Sequence, residues 1–435
     1  MKSIIRFTLT AFVLALLPAG ASAAPPPVSD SFAITGVRVF DGSEVIPAAT
    51  VVVIDGRIQA VGPNVAVPLG IPAIHGSGST LLPGIIDAHA HARTRQELER
   101  AILFGVTTEM DMWTLPHFAA SMRREQDRTG APYRADFFSA INPATLPEGY
   151  PYNFTPKFTE RPTLTAPEEA EGFVENLFDR AGADYLKIMI EDGHPLFGFQ
   201  VPAISRETVR ALTEAVHRRG KLAVAHVTEK GHSTEAILDG VDGLEHIFVD
   251  EVADPAFVQL AASKGIFVVP TLAVEESFIT PDGLASLITD PDLAPYLTEE
   301  EVQFLLAPPP PTLLTLQNLA FAKENVRLLH EAGVPLLAGT DMAAHGVGIH
   351  RDLEMLVQAG LEPRDALEAA TSAAATAFRF TDRGRIAPGL RADLLLVQGD
   401  PTVNIKATRA IRRIWKAGVE VERELPSAPT TPHGH

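Results

Sequence analysis

Eight short apolar runs follow one another between about Pro83 and Phe380: GIIDAHAH, GVTTEMDM, RADFFSAI, ADYLKIMI, KLAVAHV, GLEHIF, GIFVVPTL and PLLAGTD. Helix-patterned stretches such as ETVRALTEAVHRRG and NVRLLHEAG separate several of them and stop at Gly, which tolerates the left-handed turn that closes a helix. Strands alternating with helices pair in parallel, because each helix carries the chain back across the sheet. Eight such units in roughly 300 residues fit a (β/α)8 TIM barrel, an α/β fold, with a doubly wound open sheet as the alternative. The barrel is expected over residues 83–380.

The flanks read differently. From Phe32 to Pro83, β-branched and small residues alternate around Asp41-Gly42 and Asp55-Gly56, as in antiparallel strands joined by tight turns. GRIAPGLRADLLLVQGDP and IRRIWKAGVEV repeat that texture after the helices. Residues 30–82 and 381–424 are therefore expected to complete one composite β-sandwich, with 425–435 as a flexible tail. Met1-Lys2-Ser3, Arg6, the stretch FTLTAFVLALLP and the small residues AGASA have the order of a signal peptide. Residues 1–23, cleaved after Ala23, would send the protein to the periplasm or outside the cell. The apolar run falls short of the roughly 20 residues that span a bilayer, so stable membrane insertion is not expected.

Cysteine is absent, so thiol chemistry is excluded and stability must come from burial and metal binding. A net charge of −18 disfavours nucleic acid and anionic membranes as partners. A small-molecule or short-peptide substrate is expected instead, and a homo-oligomer is compatible with the sequence. Two long proline-rich segments, NPATLPEGYPYNFTPKFTERPTLTAP and the stretch from Glu275 to Pro311, follow the third and seventh runs. Both would lie at the C-terminal mouth of a barrel, where substrates bind.

Side chains along a strand repeat with a period of two, so Asp87, His89 and His91 share one face and two imidazoles converge. Lys187 stands among Leu186, Ile188 and Ile190, where a charged amine is costly unless neutralised or paired. Alone it reads as a lysine extending its amine to the strand's mouth. A buried neutral amine can also take up carbon dioxide to form a carbamate, an oxygen ligand. His226, His246 and Asp341 close the fifth, sixth and eighth runs, and each is ambiguous by itself. Together the six residues fall towards the C-terminal ends of the first, fourth, fifth, sixth and eighth runs, which is the catalytic side of a barrel.

This pattern resembles the amidohydrolase superfamily, which carries HxH after strand one, lysine on strand four, histidines on strands five and six and aspartate on strand eight. LLPGIIDAHAH and GLRADLLLV resemble its border phrases, and the branch with imidazolonepropionase-like proteins and Xaa-Pro dipeptidases is nearest. The resemblance implies two divalent metal ions: His89, His91 and Asp341 on one, His226 and His246 on the other, with N6-carboxylated Lys187 and a hydroxide as bridges. Zn²⁺ suits these ligands best, with Mn²⁺, Co²⁺ or Fe²⁺ as alternatives. Asp341 would move the proton from nucleophile to leaving group.

The resemblance further implies hydrolysis of a C–N amide bond. The same ligand set serves esters, lactones, phosphotriesters and ring deamination, and a non-catalytic binding protein is the third reading. After Lys187 the chain reads IMIEDGHPLFGF, where the dipeptidases carry a glycine-rich segment, which weakens a dipeptide substrate. Glu191, Asp192 and His194 in that segment are candidate substrate contacts, with solvated loop residues as the plainer reading. His350 and Glu354, one helical turn apart, read as helix packing.

Overall fold

The computed structural model describes residues 30–154, 162–193, 196, 198–280 and 282–426. The expected signal peptide, most of the expected tail and His194 lie outside the described residues.

The first strands form as their alternation demands. β1 (Phe32–Phe40) pairs antiparallel with β2 (Val45–Ile54), and β2 with β3 (Arg57–Gly62). The Asp55-Gly56 signal becomes a hairpin turn in which both residues are left-handed, with φ of 48° and 72°. β4 (Ala73–His75) and β5 (Ser79–Pro83) then run parallel to β1.

Seven of the eight apolar runs become parallel strands. β6 (Ile85–Ala90), β7 (Val106–Asp111) and β8 (Asp136–Ser139) make one sheet. β9 (Leu186–Met189), β10 (Ala223–His226), β11 (Gly243–Glu245) and β12 (Phe267–Val269) make another. Between the sheets, Asp184 N donates to Ser139 O at 2.9 Å and Ala144 bridges Ile188 in parallel. The eighth run departs from expectation: it is an isolated bridge at Leu336 beside Val268, not a regular strand. Its amides are drawn elsewhere. Ala338 N donates to Ala369 O, Gly339 N to the Asp352 carboxylate, and both Thr340 N and Asp341 N to His89 O. The run still lies between β12 and β6, because Leu337 N reaches Val268 O at 2.8 Å and Ala88 N reaches Ala338 O at 2.9 Å. The result is a mixed α/β fold of barrel-like strand order.

The C-terminal strands return to the first sheet. β13 (Leu394–Gln398) lies antiparallel to β5, and β14 (Ile411–Lys416) and β15 (Val419–Val421) follow it, giving one eight-stranded sheet. Alternate residues such as Ile34, Val51, Leu394 and Trp415 bury one face, where Phe32 stacks on Trp415. A buried charge cluster ties this sheet to the parallel ones: Asp136 of β8 accepts from Lys416 of β14, from Arg383 at 2.7 Å and from Arg391 at 2.6 Å.

The proline-rich Glu275–Pro311 segment carries helices of its own: it begins within Leu272–Ser277 and includes Asp282–Ile288 and Glu299–Leu305. Leu284, Leu287, Leu293 and Leu305 give it a core of its own against Phe104 and Val347. Thr298 and Glu301 cap the last helix reciprocally, and Glu301 also binds Arg100 at 2.8 Å. Among the described residues no helix is long and apolar enough to cross a membrane.

Candidate metal centre

β6 and the 336–341 run bring the first and last chemical residues together. Asp87 does not face the cavity but clamps the two segments: its carboxylate accepts from His89 N, Thr340 N and Thr340 Oγ1 at 3.1, 3.0 and 2.7 Å. His89 and His91 thereby meet Asp341, whose Oδ1 lies 3.5 Å from His89 Nε2 and 2.9 Å from His91 Nε2. One ligand atom from each of His89, His91 and Asp341 lies within 4.8 Å of the others, so these three can hold one ion. His246, just past β11, puts Nε2 3.8 Å from Asp341 Oδ2, and the His226 ring at the end of β10 lies 4.6 Å from that of His246. All six expected residues, Lys187 included, line one cavity of about 480 Å³.

Three of these positions are strained or fixed by neighbours. His246 and Asp341 adopt positive φ, 75° and 50°, and so does Thr271 at 50°, which is unfavourable for a β-branched residue. Thr271 Oγ1 contacts His246 Nδ1 at 2.7 Å, and Glu245 Oε2 accepts from His89 Nδ1 at 2.7 Å. Each contact occupies Nδ1 and leaves Nε2 for the centre.

Burial sets the electrostatics. It pulls His226 down to about 3, helped by Lys187, and holds His89 and His246 well below the usual imidazole range. The rings are therefore neutral, as ligands must be. Burial also lowers Lys187 to about 8, against the pull of Glu245 and Asp341. Asp341 is held well below the usual carboxylate range: burial opposes this, but His89, His91 and His246 outweigh it.

The residues fit a metal on a separate ground. Lys187 Nζ, His226 Nε2 and His91 Nδ1 are buried without a hydrogen-bond partner. An unmet buried polar atom costs about 1–3 kcal/mol, so several in one cavity mark a place built for another group. Imidazoles and carboxylate are the donor set of a divalent transition ion.

The candidate substrate contacts divide. Glu191 is not a solvated loop residue but a buried one, because Thr228 Oγ1 and Gly193 N, at 2.5 and 2.8 Å, draw its carboxylate inward to 3.4 Å from His226 Nε2. Burial raises it to about 7. Asp192 instead joins Glu229 and His232 in a partly buried group, and neither Glu191 nor Asp192 lines the cavity that the six residues share. His350 packs as expected, buried between Thr408 Oγ1 at 3.0 Å and Phe104 O at 3.1 Å, while Glu354 pairs with Arg351 and Arg409.

Sequence reasoning missed several neighbours. Tyr150, from the proline-rich segment after β8, sets its ring 5.0 Å from that of His226 and lines the cavity with Pro143 and Pro151. The Glu275–Pro311 segment supplies Phe278, Leu284, Phe304 and Pro308 to the same lining. Their positions after the third and seventh runs led to the expectation that both segments lie at the mouth, but no local signal singled out Tyr150. Glu245 stood in plain view beside His246, yet only the fold turns it towards His89.

A family model described as "Amidohydrolase family" matches residues 191–421, more than half of the chain. Ochratoxinase of Aspergillus niger is 27% identical over 251 residues, covering 55% of this chain and 46% of that protein. The chain thus spans about half the length of the curated relatives it matches, 46% for this one. A crystal structure of a Xaa-Pro dipeptidase with bound methionine in the active site is similar at a TM-score of 0.72 and 21% identity, over 90% of this chain and 100% of that one. The crystal structure of A. niger ochratoxinase gives 0.70 and 21%, over 89% and 94%. At these identities the likeness supports a TIM-barrel-like α/β fold.

Proposed function

The chain belongs to the amidohydrolase family, and from that premise we propose that it hydrolyses a C–N amide bond in a small molecule or short peptide. The carrying observation is that His89, His91, Lys187, His226, His246 and Asp341 all line one cavity in which Lys187 Nζ and His226 Nε2 have no hydrogen-bond partner. In this reading the two parallel sheets and the 336–341 run form a closed (β/α)8 barrel, and the eight-stranded sheet belongs to a small β-sandwich.

His89, His91 and Asp341 would hold one divalent ion, His226 and His246 a second, and carboxylated Lys187 would bridge them, with Zn²⁺ the best match to the ligands. Bound ions supply Lewis acidity that polarises a carbonyl and acidifies water. The chain's own residues do the rest. Glu245 holds the Nδ1 proton of His89 and so fixes its tautomer. Asp341, whose Oδ1 lies 2.9 Å from His91 Nε2, takes a proton from the attacking water on its carboxylate and delivers it to the leaving nitrogen. Tyr150, Phe278 and Phe304 give the cavity apolar walls that exclude bulk water around the scissile bond.

The test is metal stoichiometry of the purified protein together with turnover of N-acyl amino acids, Xaa-Pro dipeptides and matched esters, with and without chelator. Chelator-sensitive amide turnover is expected. Turnover of esters alone, or of no amide, overturns the reading. Asp341→Asn is expected to lower kcat by roughly 10²-fold or more while metal content persists.

A further inference from the structure

His345 follows Asp341 by four residues and lines the same cavity, yet no step above uses it. Its segment is pinned: Gly346, at φ 78°, packs so tightly on the Ala101 backbone that an added Cβ would lie 2.6 Å from Ala101 O. The ring is almost wholly enclosed, and Nδ1 lies 3.0 and 3.2 Å from the two carboxylate oxygens of Glu109 on β7, itself buried. Burial disfavours a charged ring, but Glu109 outweighs it and raises His345 to about 9. An imidazolium has two N–H donors. Glu109 engages Nδ1, which leaves Nε2 as the donor of a ring that faces the cavity.

The rest of the wall fits a negative group beside it. Arg93 adds a cation on the cavity's edge, against the Trp113 ring at 5.8 Å. The acid that also lines this side, Glu97, is engaged by the amides of Arg93 and Thr94 at 2.5 and 2.8 Å. Tyr150, Phe278 and Phe304 make other parts of the wall apolar. The cavity lining therefore combines the cations His345 and Arg93 and the amide-engaged Glu97 with apolar side chains.

We propose that His345 is a substrate contact whose Nε2–H takes a free carboxylate of the amide substrate, which makes that substrate an N-acyl amino acid or short peptide. The proposal rests on the amide-hydrolase reading for the identity of the reaction, but the contact is testable without turnover. A charge-assisted hydrogen bond distinguishes a carboxylate from its neutral carboxamide of the same shape.

The probes are N-methanesulfonyl-phenylalanine and its primary carboxamide, which contain no hydrolysable acyl amide at nitrogen, titrated calorimetrically into the zinc-loaded protein. The carboxylate is expected to bind roughly tenfold or more tighter in the wild type, and His345→Gln is expected to reduce the preference to about twofold or less. Equal affinities in the wild type overturn the proposal whether or not the variant folds. A preference that survives intact in His345→Gln overturns it too, by assigning the carboxylate to the metals or to Arg93. Carboxylate preference without amide turnover would leave the subsite standing and sink the amide-hydrolase reading. Amide turnover that ignores the carboxylate would do the reverse.

Discussion

Glu245 Oε2 accepts a hydrogen bond from His89 Nδ1 at 2.7 Å, joining β11 to β6 with both side chains buried. Substituting Glu245→Gln keeps the shape but weakens the acceptor that orients the ring. Metal affinity is expected to fall by roughly 10- to 100-fold, the usual effect of losing a partner behind a metal-bound histidine. Competition with a chelator of known affinity measures it; unchanged affinity would remove Glu245 from the centre.

Lys187 has no hydrogen-bond partner at Nζ, and burial holds it near 8, so a large fraction is neutral amine at mildly alkaline pH. A neutral amine is the form that reacts with carbon dioxide. Lys187→Ala is expected to lose most activity and to recover part of it with short carboxylic acids such as acetate or propionate. Full activity in the variant without any added acid would falsify the carbamate role.

Gly339 lies where the last run passes β6. A Cβ there would sit 2.5 Å from Val269 Cγ1 and 2.8 Å from His89 N, closer than packed atoms approach. Gly339→Ala is therefore expected to push Asp341 away from His89, at about 1–3 kcal/mol of stability, as overpacking typically costs. Thermal unfolding and metal titration should both register it. A variant with native stability and native affinity would show that the crossing is looser than described.

Asp136 carries a pH dependence of stability. Burial opposes its ionisation, but Lys416, Arg391 and Arg383 hold it well below the ordinary carboxylate range. The folded-state pKa lies below the unfolded one, so the contribution is complete above about pH 4 and is lost as pH falls further. Asp136→Asn leaves three cations around a neutral group and is expected to destabilise by about 3–5 kcal/mol at neutral pH. Its melting temperature should also fall less steeply with acid than the wild type's. Parallel acid limbs for the two proteins would contradict this.

Local pattern was enough for much of the architecture. Apolar runs of six to eight residues, Asp-Gly turns and helix-closing glycines are short-range signals, and β6 to β12 form where those runs lie. The last run fell outside that logic: Thr340 N and Asp341 N both turn to His89 O, a residue about 250 positions away, and no period in the sequence encodes such a pull. The Glu275–Pro311 segment misled for the opposite reason, since its prolines hid leucines that pack only once they meet Phe104 and Val347.

For the candidate centre, residue type and strand position, taken with the resemblance they carry, picked out His89, His91, Lys187, His226, His246 and Asp341, and the structure brings these six to one cavity. What the sequence could not determine is which groups stand behind them. Glu245 on His89, Thr271 on His246, Asp87 on Thr340, Glu191 towards His226 and Glu109 on His345 are pairings between distant strands and loops. They depend on burial, which decides whether an acid is a solvated side chain or a hydrogen-bond partner, and burial exists only after the chain has folded.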